Sequence, residues 1–286
     1  MKKLFFFFLL FNSHLLFSQE DSDVLVQSNT TVPIPYAKVI FEGKHYYKNT
    51  DKNGKLKLEN GEQISKVSAT GYEDFFPKNN LKEYILIAKK PEDGKEYFPK
   101  NKKTTTIGRL DKKTSFYGGA TDAASTQAQY LPYKKDYPEV AFVKKISFLS
   151  FFSSKVKKQP IILRIYKNNN GEPGELYGKM DIIVECKPGR SINKVDLSKS
   201  NIVLPKEGLF IGLEWINIPS NVWKYDYIKN LDGSIPKSKQ YIFNLAIAYE
   251  PKREERGLWI QTSSGWKSPE IFSQISKINF EIVISD

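Results

Sequence analysis

The segment from Pro33 to Tyr72 constrains the fold more tightly than any other part of the chain. It is built of short runs in which apolar and polar residues alternate: Ala37 to Glu42, Tyr46 to Thr50, Lys55 to Leu58 and Ile64 to Thr70. Asp51-Lys52-Asn53-Gly54 interrupts them, and its Asn-Gly pair suits the left-handed backbone of a tight turn. Side chains two apart on a strand face the same way, so Val39 and Phe41 share one face. No stretch of convincing length carries a helical period. With Val24 to Gln27 and Tyr84 to Ala88 the set reaches about six strands, and residues 20–90 are expected to form a small antiparallel β-sandwich.

The second half repeats the pattern on a larger scale. Candidate strands are Val140 to Phe151, Ile161 to Tyr166, Lys179 to Glu185, Lys194 to Leu197, Gly208 to Trp215, Tyr241 to Glu250, Gly257 to Thr262 and Lys277 to Ile284. Turn-separated strands of this kind argue for an all-β chain whose residues 136–286 form a larger antiparallel, jelly-roll-like sandwich. Phe210, Gly212 and Glu214 alternate with Ile211, Leu213 and Trp215, so one face of that strand must be polar or paired. The connection Ile216 to Lys239 exceeds an ordinary loop.

Residues 91–135 read as linker and connecting loop. Pro91 to Lys113 is lysine-rich and broken by Pro91, Gly94 and Pro99. Tyr117 to Gln129 is small and polar, and Gly118-Gly119 lacks the spacing of a phosphate-binding loop.

Residues 1–19 carry Lys2 and Lys3, the apolar run Leu4 to Phe11, and Phe17-Ser18-Gln19 at the exit, the pattern of a secretory signal peptide. Asn12, Ser13 and His14 end the run short of the roughly 20 residues that span a bilayer. The expected product is exported to the periplasm, the outer-membrane surface or beyond, with no transmembrane span after removal of the signal. Cys186 is the lone cysteine, so no disulfide within the chain can staple the fold. It is expected to be a buried apolar residue.

The chain has 44 lysines and arginines against 32 aspartates and glutamates, a formal charge of +12. These cations are spread along the strands, where they solvate faces and protect edges. With no binding motif and export expected, nucleic acid is not an expected partner.

Two resemblances accompany this reading. Pro35 and Ala37, Thr50, Asp51 and Gly54 at the hairpin, and Gly71-Tyr72 at the close resemble the carboxypeptidase-regulatory-like domain of exported bacterial proteins. That resemblance implies a transthyretin-like or Ig-like β-sandwich, a folding and docking unit without known chemistry. Ile162 to Tyr166, Asn170 to Leu176, Val195 to Leu197, Val203 to Pro205, Glu207-Gly208 and Gly212 to Trp215 resemble a recurring exported domain. The second resemblance implies a jelly-roll or galactose-binding-like sandwich of unassigned activity. Domains of the kind the first half resembles often precede outer-membrane transporters of the TonB-dependent class. The residues after it are too few for a plug and a 22-stranded barrel.

Catalytic residue types are scarce. Only His14 and His45 occur, and no Gly-x-Ser-x-Gly turn is present. One mature histidine cannot supply the pair of imidazoles of a zinc carboxypeptidase. Glu207, Glu214, Asp226 and Asp232 are the carboxylates from which a glycosidase pair would be drawn. Neither metal nor cofactor is expected.

Aromatic residues carry the stronger functional reading. Trp215 and Trp259, on strands, are expected to fill the core. Trp223, Tyr225, Tyr227 and Trp266 are the candidate ligand-contacting residues, with Asn217, Asn221, Asp226 and Gln261 able to bond hydroxyls. The sequence therefore points to an exported, non-enzymatic binding or interaction protein of the cell envelope, with a glycan or another envelope protein as partner. Carbohydrate binding through the loop aromatics is one alternative, and a glycoside hydrolase with paired carboxylates is the other.

Overall fold

The computed structural model describes residues 23–44, 46–90, 100, 102–121, 125–153, 156–178, 181–225, 240–250, 257–262, 264–268 and 277–286, with 223–225, 240 and 241 described by backbone alone. The signal segment 1–19, His45, Asp226, Tyr227 and Asp232 lie outside the described residues. Within them the chain is all-β: every regular element is a strand. No helix there is long and apolar enough to cross a membrane.

The first module stacks two three-stranded sheets. One places Asp23–Ser28 between Lys55–Lys57 and Glu83–Leu86; the other places Lys38–Phe41 between Tyr47–Asn49 and Ile64–Ser68. The pairing of Asp23–Ser28 with Glu83–Leu86 is parallel, a departure from the purely antiparallel sandwich expected. Alternation does its work: Val24 and Val26, Val39 and Phe41, Leu56, Ile64, Val67, Tyr84 and Leu86 form one buried cluster. Asp51 organises the turn, its Oδ1 accepting from the amides of Asn53 at 2.8 Å and Lys55 at 2.9 Å.

The second module is a sandwich of two larger sheets with one contiguous core between them. In the first sheet the long strand Ala141–Phe152 pairs on one side with Gly189–Asp196 and Val203–Leu204, and on the other with Phe280–Ser285 and Ala246–Glu250. The second sheet runs Glu172–Leu176, Gln159–Asn169, Leu209–Trp215, Thr126–Leu131, Leu258–Thr262, Gly265–Lys267, with Ile182–Cys186 also on Gln159–Asn169. The chain crosses repeatedly from one sheet to the other, as in jelly rolls. Cys186 is buried in this core, and burial pushes its thiol up to about 12.

Of the expected linker 91–135, residues 91–99, 101 and 122–124 lie outside the described residues, and the part from Thr104 on is corrected by the structure. Thr104–Gly108 pairs with Phe280–Ser285, Tyr117–Gly118 pairs with Ala246–Glu250, and Thr126–Leu131 is an inner strand of the second sheet. Thr104–Gly108 alternates exposed and half-buried side chains, so its threonines mimic a loop. Thr126 and Gln127 are polar yet buried. The long connection after Ile216 is also partly strand: Val222–Tyr225 pairs antiparallel with Gln240–Phe243.

Candidate functional site

Register fixes which side chains occupy the outer face of the second sheet. Phe210 stands opposite Tyr166 on one side and Tyr130 on the other; Gly212 stands opposite Arg164 and Ala128; Glu214 stands opposite Ile162 and Thr126. Trp259 pairs with Ala128, and Gln261 pairs with both Thr126 and Trp266. Ile211, Leu213 and Trp215 point the other way, into the core. The face of Leu209–Trp215 that had to be polar or paired is thus half aromatic and half ionic.

The aromatic half is a layered cluster. Buried Phe210 and Tyr166 form its base, and half-buried Tyr130, Trp259 and Trp266 pack against them. Tyr130 lies 5.1 Å from Phe210 in a tilted contact. Trp259 meets Phe210 edge to face at 6.5 Å, and Trp266 meets Tyr166 in the same way at 5.2 Å. Three strands intervene between those carrying Tyr166 and Trp266, about 19 Å in a flat sheet. The hairpin Leu258–Thr262 to Gly265–Lys267 therefore curls back over the sheet and makes the face concave.

The ionic half joins the two modules. Glu214 accepts Lys38 of the first module at 2.6 Å on Oε1 and Arg164 Nε at 2.7 Å on Oε2. Arg164 Nη1 also contacts Asp181 and the hydroxyl of Thr70, which belongs to the first module. Burial alone would raise the Glu214 carboxyl, but Arg164 and Lys38 outweigh it and hold it at about 2. Beside this network the Asn49 amide donates to Asn217 O at 2.9 Å, and the Asn217 amide returns a bond to Asn49 Oδ1 at 2.8 Å. Asn217 Nδ2 donates to Tyr47 O, and the Tyr47 hydroxyl donates to Trp215 O at 3.0 Å.

These contacts sort the expected site residues. Trp266 is in the cluster. Trp223 and Tyr225 lie on the strand Val222–Tyr225, with side chains outside the described set, and Tyr227 lies outside it altogether. Of the four, Trp266 alone has a described side chain. Trp215 is core, as expected, its Nε1 donating to Leu245 O at 2.7 Å. Trp259 is a correction: its neighbour Leu258 takes the core position and Trp259 faces outward. Asn217 and Asn221 are corrections too. Asn217 is spent on the module junction, and Asn221 Nδ2 on Pro160 O and Ile216 O. Gln261 stays half-buried beside the aromatic cluster. Tyr130, Tyr166 and Phe210 were missed, although their shared register is a signal that strand pairing, once guessed, would expose.

Of the four acidic candidates, Asp226 and Asp232 lie outside the described residues, and Glu207 with Glu214 does not make a pair. Glu207 sits in the turn before the strand Leu209–Trp215 and Glu214 near that strand's far end. Leu209 to Glu214 alone spans about 17 Å at 3.4 Å per residue, whereas glycosidase carboxyls lie about 5 to 9.5 Å apart. Glu214 is also committed to two cations and held ionised, which unfits it as a proton donor. Among the described residues no group of three or more His, Cys, Asp or Glu is placed to hold a metal ion.

No protein-family model matches the sequence, and no curated protein matches it significantly. Among solved structures, the chain is similar at 10% identity and a TM-score of 0.38 to the cysteine protease and lectin-like domains of Cwp84, a surface layer associated protein of Clostridium difficile, covering 84% of this chain and 45% of that one. The clostridial protease Cwp84 after propeptide cleavage gives 10% identity and a TM-score of 0.40, over 93% of this chain and 70% of that one. A carbohydrate-binding module of the beta-sandwich superfamily gives 10% identity and a TM-score of 0.18, over 76% of this chain and 85% of that one. At these scores none of the three bears on function.

Proposed function

We propose that the chain is an exported binding protein of the cell envelope and that the concave outer face of its second sheet is the contact surface, with carbohydrate as the ligand class. The observation that carries this reading is the clustering of Tyr130, Trp259 and Trp266 on that face over a base of Tyr166 and Phe210. Half-buried rings on a preformed base stack on the apolar faces of sugar rings at little entropic cost. Gln261 supplies amide donors and acceptors beside them. The first module, docked through Lys38, Tyr47, Asn49 and Thr70, serves as a fixed wall, in keeping with the docking unit that its resemblance implies.

The test is retention on a glycan array by the mature chain, Trp259→Ala and Trp266→Ala, with melting curves to show that the variants fold. Loss of retention in folded variants is the expected result. Wild-type retention in both, or none by the parent protein, would remove the carbohydrate reading.

A further inference from the structure

A cleft of about 640 Å³ opens between the two sheets of the second module, where Thr104–Gly108 and Phe280–Ser285 face Thr126–Leu131. Small-molecule sites occupy about 300–1,000 Å³. The inner wall is apolar: Leu131, Ile211, Ile278, Phe280 and Ile282 are buried core residues, and half-buried Ile107 lines the same space. Gln129 bridges the sheets at its side, its Oε1 accepting from the Ile278 amide at 2.6 Å.

The rim has a different character. Glu250 and Lys277 are cross-strand partners, so that carboxylate meets an opposite charge within its own sheet. Arg109 and Lys134, both exposed, add two further cations, so positive charge is in excess among the described rim residues. An apolar slot with cations at its mouth complements a molecule with a long apolar body and one anionic end. A guanidinium presents paired donors that match the two oxygens of a carboxylate.

We propose that this cleft binds a fatty-acid-type carboxylate, with the acyl chain between the sheets and the carboxylate at Arg109 and Lys134. The site lies between the sheets rather than on the outer aromatic face, so it stands or falls independently of carbohydrate binding. It does not depend on the carboxylate pair discussed above.

The test is calorimetric titration of the full chain with laurate, dodecanol and butyrate. Laurate should bind saturably at one equivalent, and butyrate, lacking the apolar body, should not. The double charge reversal Arg109→Glu with Lys134→Glu, on exposed side chains that leave the core untouched, should weaken laurate by about tenfold or more and leave dodecanol unchanged. Ile107→Trp, which fills the slot, should weaken both, while Trp266→Ala leaves laurate binding intact. Absence of saturable laurate binding would overturn the proposal, as would laurate binding indifferent to both sets of substitutions. Equal loss of laurate and dodecanol on charge reversal would overturn the assignment of the carboxylate to Arg109 and Lys134.

Discussion

Lys38 and Glu214 belong to different modules, yet the lysine Nζ lies 2.6 Å from the glutamate Oε1, and Arg164 grips the other carboxylate oxygen. Removing one partner of a buried ion pair leaves the other charge desolvated and alone, at a cost of about 3–5 kcal/mol. Glu214→Ala should lower the unfolding free energy of the full chain toward the lower end of that range, as read by calorimetry, because Arg164 keeps Asp181 as a partner. Lys38→Met should cost less, because Lys38 is the more solvent-accessible member and Arg164 remains on Glu214.

The same carboxylate gives a pH signature. Its folded pKa, about 2, lies below the 4.5 of the free group, so the folded state favours the ionised form. The stabilisation is fully present above pH 4.5 and is lost as pH falls from there toward 2. Melting temperature should therefore fall across this window, and Glu214→Gln should flatten that part of the profile. An unaltered slope in Glu214→Gln would show that other groups dominate acid unfolding.

Gly212 lies beneath the Tyr166 ring. A Cβ at this position would stand 3.0 Å from Tyr166 Cε2 and 3.3 Å from Gln127 O. Gly212→Val should displace the ring and cost about 1–3 kcal/mol through overpacking. Because Trp266 rests edge-on against Tyr166, ligand retention on the aromatic face should drop beyond what the lowered melting temperature explains.

Gly54 combines a φ of +72° with a close approach, since a Cβ there would lie 2.4 Å from Val26 O. Both features disfavour any L side chain. Gly54→Ala should destabilise the first module by roughly 1–3 kcal/mol, visible as a shift in the denaturant midpoint.

Cys186 should resist thiol reagents. It is fully buried, with a thiol pushed up to about 12, so the reactive thiolate is scarce at pH 8. Native protein should take up no aromatic disulfide reagent over an hour, and protein in guanidinium should take up one equivalent per chain.

The sequence made the first module legible because its inward positions are apolar and its turn is chemically specific. The run Ala37 to Glu42 contains the strand Lys38–Phe41, and Lys55 to Leu58 contains Lys55–Lys57. Thr126–Leu131 was illegible for the opposite reason. Gln127 is tolerated in a buried position because its Nε2 donates to Gly119 O and its Oε1 accepts from the Tyr249 hydroxyl, a partner far away along the chain. Asn217 likewise looks available to a ligand until Asn49 and Tyr47 are placed against it. Trp259 shows the frame problem of strands: with Leu258 beside it, a one-residue slip exchanges core and surface, and only the partner strand decides. The concave aromatic face needed a curled hairpin that no local pattern announces.

The pairing of Thr104–Gly108 with Phe280–Ser285 sets an order of events during synthesis. The first module's sheets are closed once Glu83–Leu86 has emerged, whereas the first described strand of the second waits for almost the whole remaining chain. A nascent polypeptide stalled before residue 277 carries one finished sandwich and one half-built sheet with an open edge, a substrate for proteases and chaperones rather than for a ligand.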